Sequence, residues 1–225
     1  MANRLLRWSI VVLLTLWACA GKVLQPADSP PVLPQERQCM APGWQRVVLQ
    51  VSGLQRVLLW KGPQGPWTKG AILVLHGGGG HHFQWCVADP AIVEPQVRFT
   101  ELAVAQGFAV FSLESSDQVT DNEGRVCGKV WDDEVRDRPN LDLPFIGQVL
   151  RTLIPHLRPG GSRREVFITG LSSGGYMTVR AATHFDGLIT AFAPVSSGDP
   201  YGWHRRCDKS LGLGRSNVHG AGFDN

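Results

Sequence analysis

The sequence is short of several things, and each shortage removes a class of function. Charged residues make up only 18% of the 225 positions, and the formal net charge is +3. No Lys/Arg run occurs, so nucleic-acid binding has no electrostatic support. No uncharged apolar run reaches the roughly 20 residues that a membrane-spanning helix needs. The five cysteines include no C-x-x-C pair, which removes the usual zinc and thioredoxin-type patterns. No internal repeat of useful length is present. What is there is 43% hydrophobic residues, enough for one globular domain with a sizeable core.

The N-terminus is a separate object. Arg4 and Arg7 precede an uncharged, largely apolar run from Trp8 to Ala18. A basic start, an apolar centre and small residues at the exit describe a secretory signal peptide over residues 1–18. Two exits are open. Leu16-Trp17-Ala18-Cys19 resembles a bacterial lipobox, with Cys19 lipidated and Trp17 as a departure; Ala18-Cys19-Ala20 fits ordinary cleavage. Either route predicts a secreted or lipid-anchored, nearly neutral protein. In an oxidising compartment Cys39, Cys86, Cys127 and Cys207 form up to two disulfides, with three connectivities open.

Residues 19–43 carry Pro26, Pro30, Pro31, Pro34 and Pro42 and read as an extended tether. Residues 44–225 are left as the domain. Gln45–Val51 and Leu54–Trp60 flank Ser52-Gly53 and read as a hairpin. Apolar strands are expected at 71–75, 108–112, 165–169 and 188–192, with helices at 100–106, 141–157 and 174–184. Strands alternating with helices predict an α/β fold, mostly parallel, with helices on both faces. Residues 113–140 are too long and aperiodic for an ordinary connection, which points to a functional or tied-down loop.

Two motifs carry chemistry. Gly170-Leu171-Ser172-Ser173-Gly174 matches G-x-S-x-G, and it sits between an expected strand and an expected helix. A serine at the apex of that turn is exposed to a base, and the Ser173 N–H at the helix start can meet a developing oxyanion. The flanking glycines leave room where a Cβ would clash. His76-Gly77-Gly78-Gly79-Gly80 follows the 71–75 strand and matches an HGGG-type oxyanion loop, with Gly77 and Gly78 as donors. It lacks the Lys-Ser/Thr ending of a phosphate loop. His76, His81 and His82 cluster in sequence, but adjacent histidines diverge and no carboxylate is suitably spaced. No metal site and no cofactor are expected, and His76 is expected to structure its own loop.

With these motifs in register, the chain resembles the polyhydroxybutyrate-depolymerase and feruloyl-esterase-like branch of the α/β-hydrolases. The matching segments are AILVLHGGGG (71–80), LDLPFIGQVL (141–150), EVFITGLSSGGYMTVRAA (165–182) and APVSSGDPYG (193–202). The resemblance implies an exported serine esterase acting on polyhydroxyalkanoate, feruloyl or acetyl esters, with Ser172 as nucleophile. It also implies an acid and a histidine after two further strands, in that order. Those strands are not visible, so the chain is expected to be truncated relative to the family. Asp199 with His204 or His219 keeps the order, yet Asp199 lies in a stretch similar to a substrate-side loop. His184 reads as a capping or surface residue. The alternative is a non-catalytic, esterase-derived surface lipoprotein that binds a polymer or polysaccharide.

Overall fold

The computed structural model describes residues 29–88, 93–119, 124–125, 128–134, 138–198 and 200. The first element is a helix, α1 (Pro34–Met40), inside the stretch expected to be an extended tether. It docks because it brings Glu36 and Cys39 to fully buried positions. Strands β1 (Gln45–Val51) and β2 (Leu54–Lys61) form the expected hairpin, with Val51 opposite Leu54. Its two-residue turn places Ser52 at φ 50° and Gly53 at φ 80°, the left-handed pair that matches strand twist.

Next come β3 (Gly70–Leu75), α2 (Glu94–Ala105), β4 (Phe108–Leu113), α3 (Leu143–Gln148), α4 (Ile154–Leu157), β5 (Val166–Leu171), α5 (Ser173–His184) and β6 (Ala191–Val195). A π-helical turn at Val149–Leu153 joins α3 to α4, where the apolar spacing predicts one continuous helix. Pro155 has no N–H to give the Arg151 carbonyl, and the Ile154 N–H bonds back five residues to Val149. The last strand lies three residues beyond its expected start.

The sheet order is β1-β2-β4-β3-β5-β6. β2 pairs antiparallel with both neighbours, and every other pairing is parallel. Five strands therefore run one way. Central β3 is buried along its whole length, which is why it reads as an unbroken apolar run.

Both faces are covered. Leu58, Leu73, Phe111 and Ile168 pack against the α3–α4 stretch and α5 through Phe145, Val149, Met177 and Ala181. Leu59, Ile72, Val74 and Val110 pack against Cys39, Trp44, Phe83 and Ala103. The chain leaves β3 towards β4 on one side and later returns to β5 on the other. That reversal makes the carboxyl ends of β3 and β5 the switch point of the sheet, the usual place for a ligand in such folds.

Candidate active site

Ser172 stands at that switch point. It directly follows β5, is exposed, and has φ 52° and ψ −117°. That backbone is costly for a residue with a Cβ, by roughly 1–3 kcal/mol, so the surroundings must impose it. They do so from three sides. Its N–H donates to the Val195 carbonyl at 2.9 Å, and its carbonyl accepts from Gly175 and Tyr176 at 2.8 and 3.0 Å. The glycines make the turn sterically feasible. A Cβ on Gly170 would lie 2.3 Å from the Gly174 carbonyl oxygen. One on Gly174 would lie 2.4 Å from the His76 carbonyl oxygen, and one on Gly175 2.4 Å from Ser197 Oγ. The sequence reading covers the first two; Gly175 is an addition the structure makes.

The glycine loop lies against this turn. A Cβ built on Gly77 would be 3.8 Å from the Ser172 Cβ, and one on Gly78 3.9 Å from the Ser173 Cβ. Gly79 and Gly80 spend their N–H groups on Lys129 O and Gly77 O. Among the described residues the N–H groups of Gly77, Gly78 and Ser173 have no backbone acceptor; the last is free because a helix's first N–H groups lack intrahelical partners. Three unspent donors beside one exposed hydroxyl can stabilise an oxyanion formed by attack on a carbonyl.

A segment of the long 113–140 loop joins the two parts. The Trp131 N–H donates to Ser173 Oγ at 3.0 Å, and its indole N–H donates to His76 O at 2.8 Å. Burial pushes the Asp133 carboxyl up to about 7, helped by Glu134 and Asp132 and opposed by Ser173 and Arg180.

The three histidines meet carboxylates after all, supplied from afar in sequence. Glu114, just past β4, faces His76 Nε2 at 3.0 Å, His81 Nδ1 at 3.1 Å and His82 Nδ1 at 2.6 Å. His82 Nε2 meets Glu36 of α1 at 2.8 Å, and Glu36 also pairs with Arg46 at 3.1 Å. Burial opposes charge on Glu114, but hydrogen bonds from His81 and His82 and the positive charge of His82 hold it well below its ordinary range. Burial likewise opposes charge on His82; its bonds to Glu114 and Glu36 raise it nonetheless. With a carboxylate at each ring nitrogen, His82 is an imidazolium donating both protons. Among the described residues, no three or more His, Cys, Asp or Glu side chains are arranged to hold a metal ion. His76 does brace its own loop, with Nδ1 at 2.7 Å from Gly77 O and Nε2 accepting from the Ser115 N–H.

A second buried hub was also outside the sequence reading. Asp142 accepts from Arg56 at 2.5 Å, from the Ser116 N–H at 3.0 Å and from the Asp132 N–H at 2.7 Å. A buried arginine in β2 was the available signal.

Of the expected site residues, Ser172, Ser173, Gly77 and Gly78 come together. Asp199, His204, His219 and Cys19 lie outside the described residues, as do Cys127 and Cys207. Cys39 and Cys86 form a disulfide. No described histidine is hydrogen-bonded to the Ser172 hydroxyl. His184 ends α5, twelve positions from Ser172, or about 18 Å at the helical rise.

No known protein family and no characterised protein matches the sequence. Solved structures do resemble the chain. An S-formylglutathione hydrolase from Staphylococcus aureus is 14% identical, with TM-score 0.46 over 66% of this chain and 57% of its own. An acetyl xylan esterase from Aspergillus awamori is 17% identical, with TM-score 0.45 over 66% and 50%. An epoxide hydrolase from Vigna radiata is 13% identical, with TM-score 0.40 over 67% and 38%. The chain thus spans about half the length, or less, of these structures. Likenesses this distant carry nothing about activity. The sheet order, the single reversed strand and the strand–serine–helix elbow define the architecture. The fold is of the α/β-hydrolase type.

Proposed function

We propose that the chain is an exported serine hydrolase of carboxylic esters, working through an acyl-serine intermediate. One observation carries the reading. Ser172 is exposed on a strained strand-to-helix turn, beside the unspent N–H groups of Ser173, Gly77 and Gly78. Ser172 Oγ attacks the ester carbonyl, and those N–H groups take up the charge on its oxygen; each donor of this kind is worth about 10²–10³ in rate. The proton of Ser172 passes to a histidine base, for which His204 and His219 are the candidates, oriented by an acid such as Asp199. The histidine hands it to the alcohol as the ester C–O bond breaks, and water activated by the same base then releases the carboxylic acid and frees Ser172. The substrate class is a polyhydroxyalkanoate, feruloyl or acetyl ester. Residues 1–18 direct export, and Cys19 is the point of lipid attachment if a tether forms.

A second reading has one observation in its favour: among the described residues, no histidine is hydrogen-bonded to Ser172. In that reading the chain is a surface protein that binds a polymer or polysaccharide without cutting it. Hydrolysis of a short-chain p-nitrophenyl ester by the chain, beside its Ser172→Ala variant, decides between them. The hydrolase reading expects turnover that disappears in the variant. Folded protein without turnover favours the binding reading.

A further inference from the structure

The chain leaves β3 at Leu75, opposite Leu113 and Gly170, and both ladders end there. The glycine loop that follows has no strand partner to set its place. An oxyanion hole tolerates little error: donors must lie about 2.7–3.1 Å from one oxygen, and a 1 Å misplacement can cost about 100-fold. Gly77 and Gly78 carry no side chain that could anchor them, so the loop must be held from its ends.

We propose that Glu114 is a positioning residue for this loop: by holding His81 and His82 on one carboxylate oxygen, it sets where the Gly77 and Gly78 N–H groups stand against Ser172. The catalytic consequence rests on the hydrolase reading. Both ends of the loop meet residues 112–115, at the end of β4 and just past it. At the near end, the Ser115 N–H donates to His76 Nε2 at 3.1 Å. That bond leaves the His76 proton on Nδ1, 2.7 Å from the Gly77 carbonyl oxygen. At the far end, Glu114 Oε2 lies 3.1 Å from His81 Nδ1 and 2.6 Å from His82 Nδ1. Ser112 Oγ donates to His82 O at 2.7 Å. Between the ends the loop folds on itself, with the Gly80 N–H on Gly77 O at 3.0 Å. A shift at His81 is therefore passed to Gly77. Lys129 O and the Trp131 indole hold the Gly79 N–H and His76 O separately.

Glu114 can serve as a fixed point because its own backbone is still built into the sheet. It is buried; its N–H donates to Val57 O of β2 at 3.1 Å, and its carbonyl accepts from Arg56 at 2.9 Å. The rings it holds are constrained as well. His81 stacks on Phe83 with ring centroids 4.7 Å apart, and His82 is held at its other nitrogen by Glu36 at 2.8 Å. His76 Nε2 lies 3.0 Å from Glu114 Oε1, but it is spent on the Ser115 N–H, and Oε1 finds no hydrogen-bond donor among the described residues. The grip of the carboxylate on the loop thus runs through His81 and His82. Hydrogen bonds to an ionised group are about twice as strong as neutral ones.

The test has two arms on the same purified chain. Backbone ¹⁵N relaxation at residues 77–80, an arm that needs no activity, is measured for wild type, Glu114→Ala, Glu114→Gln and His81→Ala, with the β3 amides as reference. Expected are wild-type order parameters near the rigid value of about 0.85, falling below about 0.6 in Glu114→Ala. His81→Ala is expected to show a smaller fall, and β3 none. Glu114→Gln, which keeps a carbonyl oxygen for both rings, is expected to recover most of the loss. A wild-type loop already below about 0.6, or unchanged loop order in a folded Glu114→Ala, overturns the proposal. If Glu114→Ala does not fold, unchanged loop order in His81→Ala, which removes only a half-buried ring, overturns it instead. The second arm is p-nitrophenyl ester kinetics. Glu114→Ala is expected to lower kcat at least about tenfold with KM within about twofold, and Glu114→Gln to restore most of it. A raised KM with unchanged kcat also overturns the proposal. An inactive wild type whose loop loses order in Glu114→Ala counts against the hydrolase reading and leaves the positioning role standing.

Discussion

At Ser172 a strained backbone and three missing Cβ atoms are two halves of one requirement. The turn can approach β3 and residue 197 only if Gly170, Gly174 and Gly175 carry no side chain. Gly174→Ala is therefore expected to destabilise the fold by at least about 1–3 kcal/mol, the usual range for overpacking. The clash is with the His76 and Leu75 carbonyl oxygens, which cannot swing away without disturbing β3. Urea unfolding checks this, and an unchanged midpoint contradicts it. Ser172, Ser173, Gly77 and Gly78 could be picked out of the sequence because their chemistry depends on local spacing. Asp133, Glu114, Glu36 and Asp142 could not. Their partners lie far along the chain, and only folding shows which carboxylates meet which cations or hydroxyls.

Among elements, α1 departs most from its expected form. Proline-rich composition suggests a tether, yet Pro34 sits in the first turn, where a helix tolerates it, and the helix is tied down twice. Glu36 meets His82 and Arg46, and Cys39 is cross-linked to Cys86 across a sequence separation of 47. The ties run to the 3-10 turn His82–Trp85, one residue beyond the glycine loop, and to Cys86 at its C-terminal cap. Reduction of this disulfide, or Cys39→Ser with Cys86→Ser, is expected to cost about 2–4 kcal/mol, read from the urea midpoint with and without reductant. His82→Ala leaves two buried carboxylates facing each other and is expected to cost about 3–5 kcal/mol. A loss under 1 kcal/mol in a thermal melt contradicts the assignment of His82 as a charged hub. From β3 to β6 the helix–strand alternation was legible because apolar runs mark buried strands. The π-helical turn was not, since its cause is a single missing donor at Pro155.

For the whole molecule, buried ionisable groups set the pH dependence of stability. Glu36 and Glu114 are lowered from 4.5, so their contribution is present above about pH 4.5 and is lost as pH falls through their folded values. His82 is raised from 6.5, so its contribution is complete below 6.5 and is lost as pH rises through its folded value. Asp133, raised from 3.8 to about 7, binds its proton more tightly when folded, so it costs stability as pH climbs between those values. The ceiling on that cost is roughly 4 kcal/mol, at about 1.4 per pH unit. These signs place maximum stability at about pH 4.5, with a decline on either side. Melting temperature against pH checks it, with Asp133→Asn flattening the decline between pH 4 and 7. A wild-type melting temperature that rises from pH 6 to 8 contradicts it.

At the same scale, the exposed Phe192 and Val195 of β6 lie on a strand that, among the described residues, pairs only with β5. The sequence anticipates the sheet's composition but not its order, because order depends on which strands meet across long connections. The central claim is that Ser172 is an activated nucleophile. Exposure of the chain to a fluorophosphonate, followed by mass mapping of the adduct, tests it most directly. A stoichiometric adduct on Ser172, with Ser173 unmodified, is the predicted result. Folded chain that stays unmodified, or an adduct elsewhere, contradicts the claim.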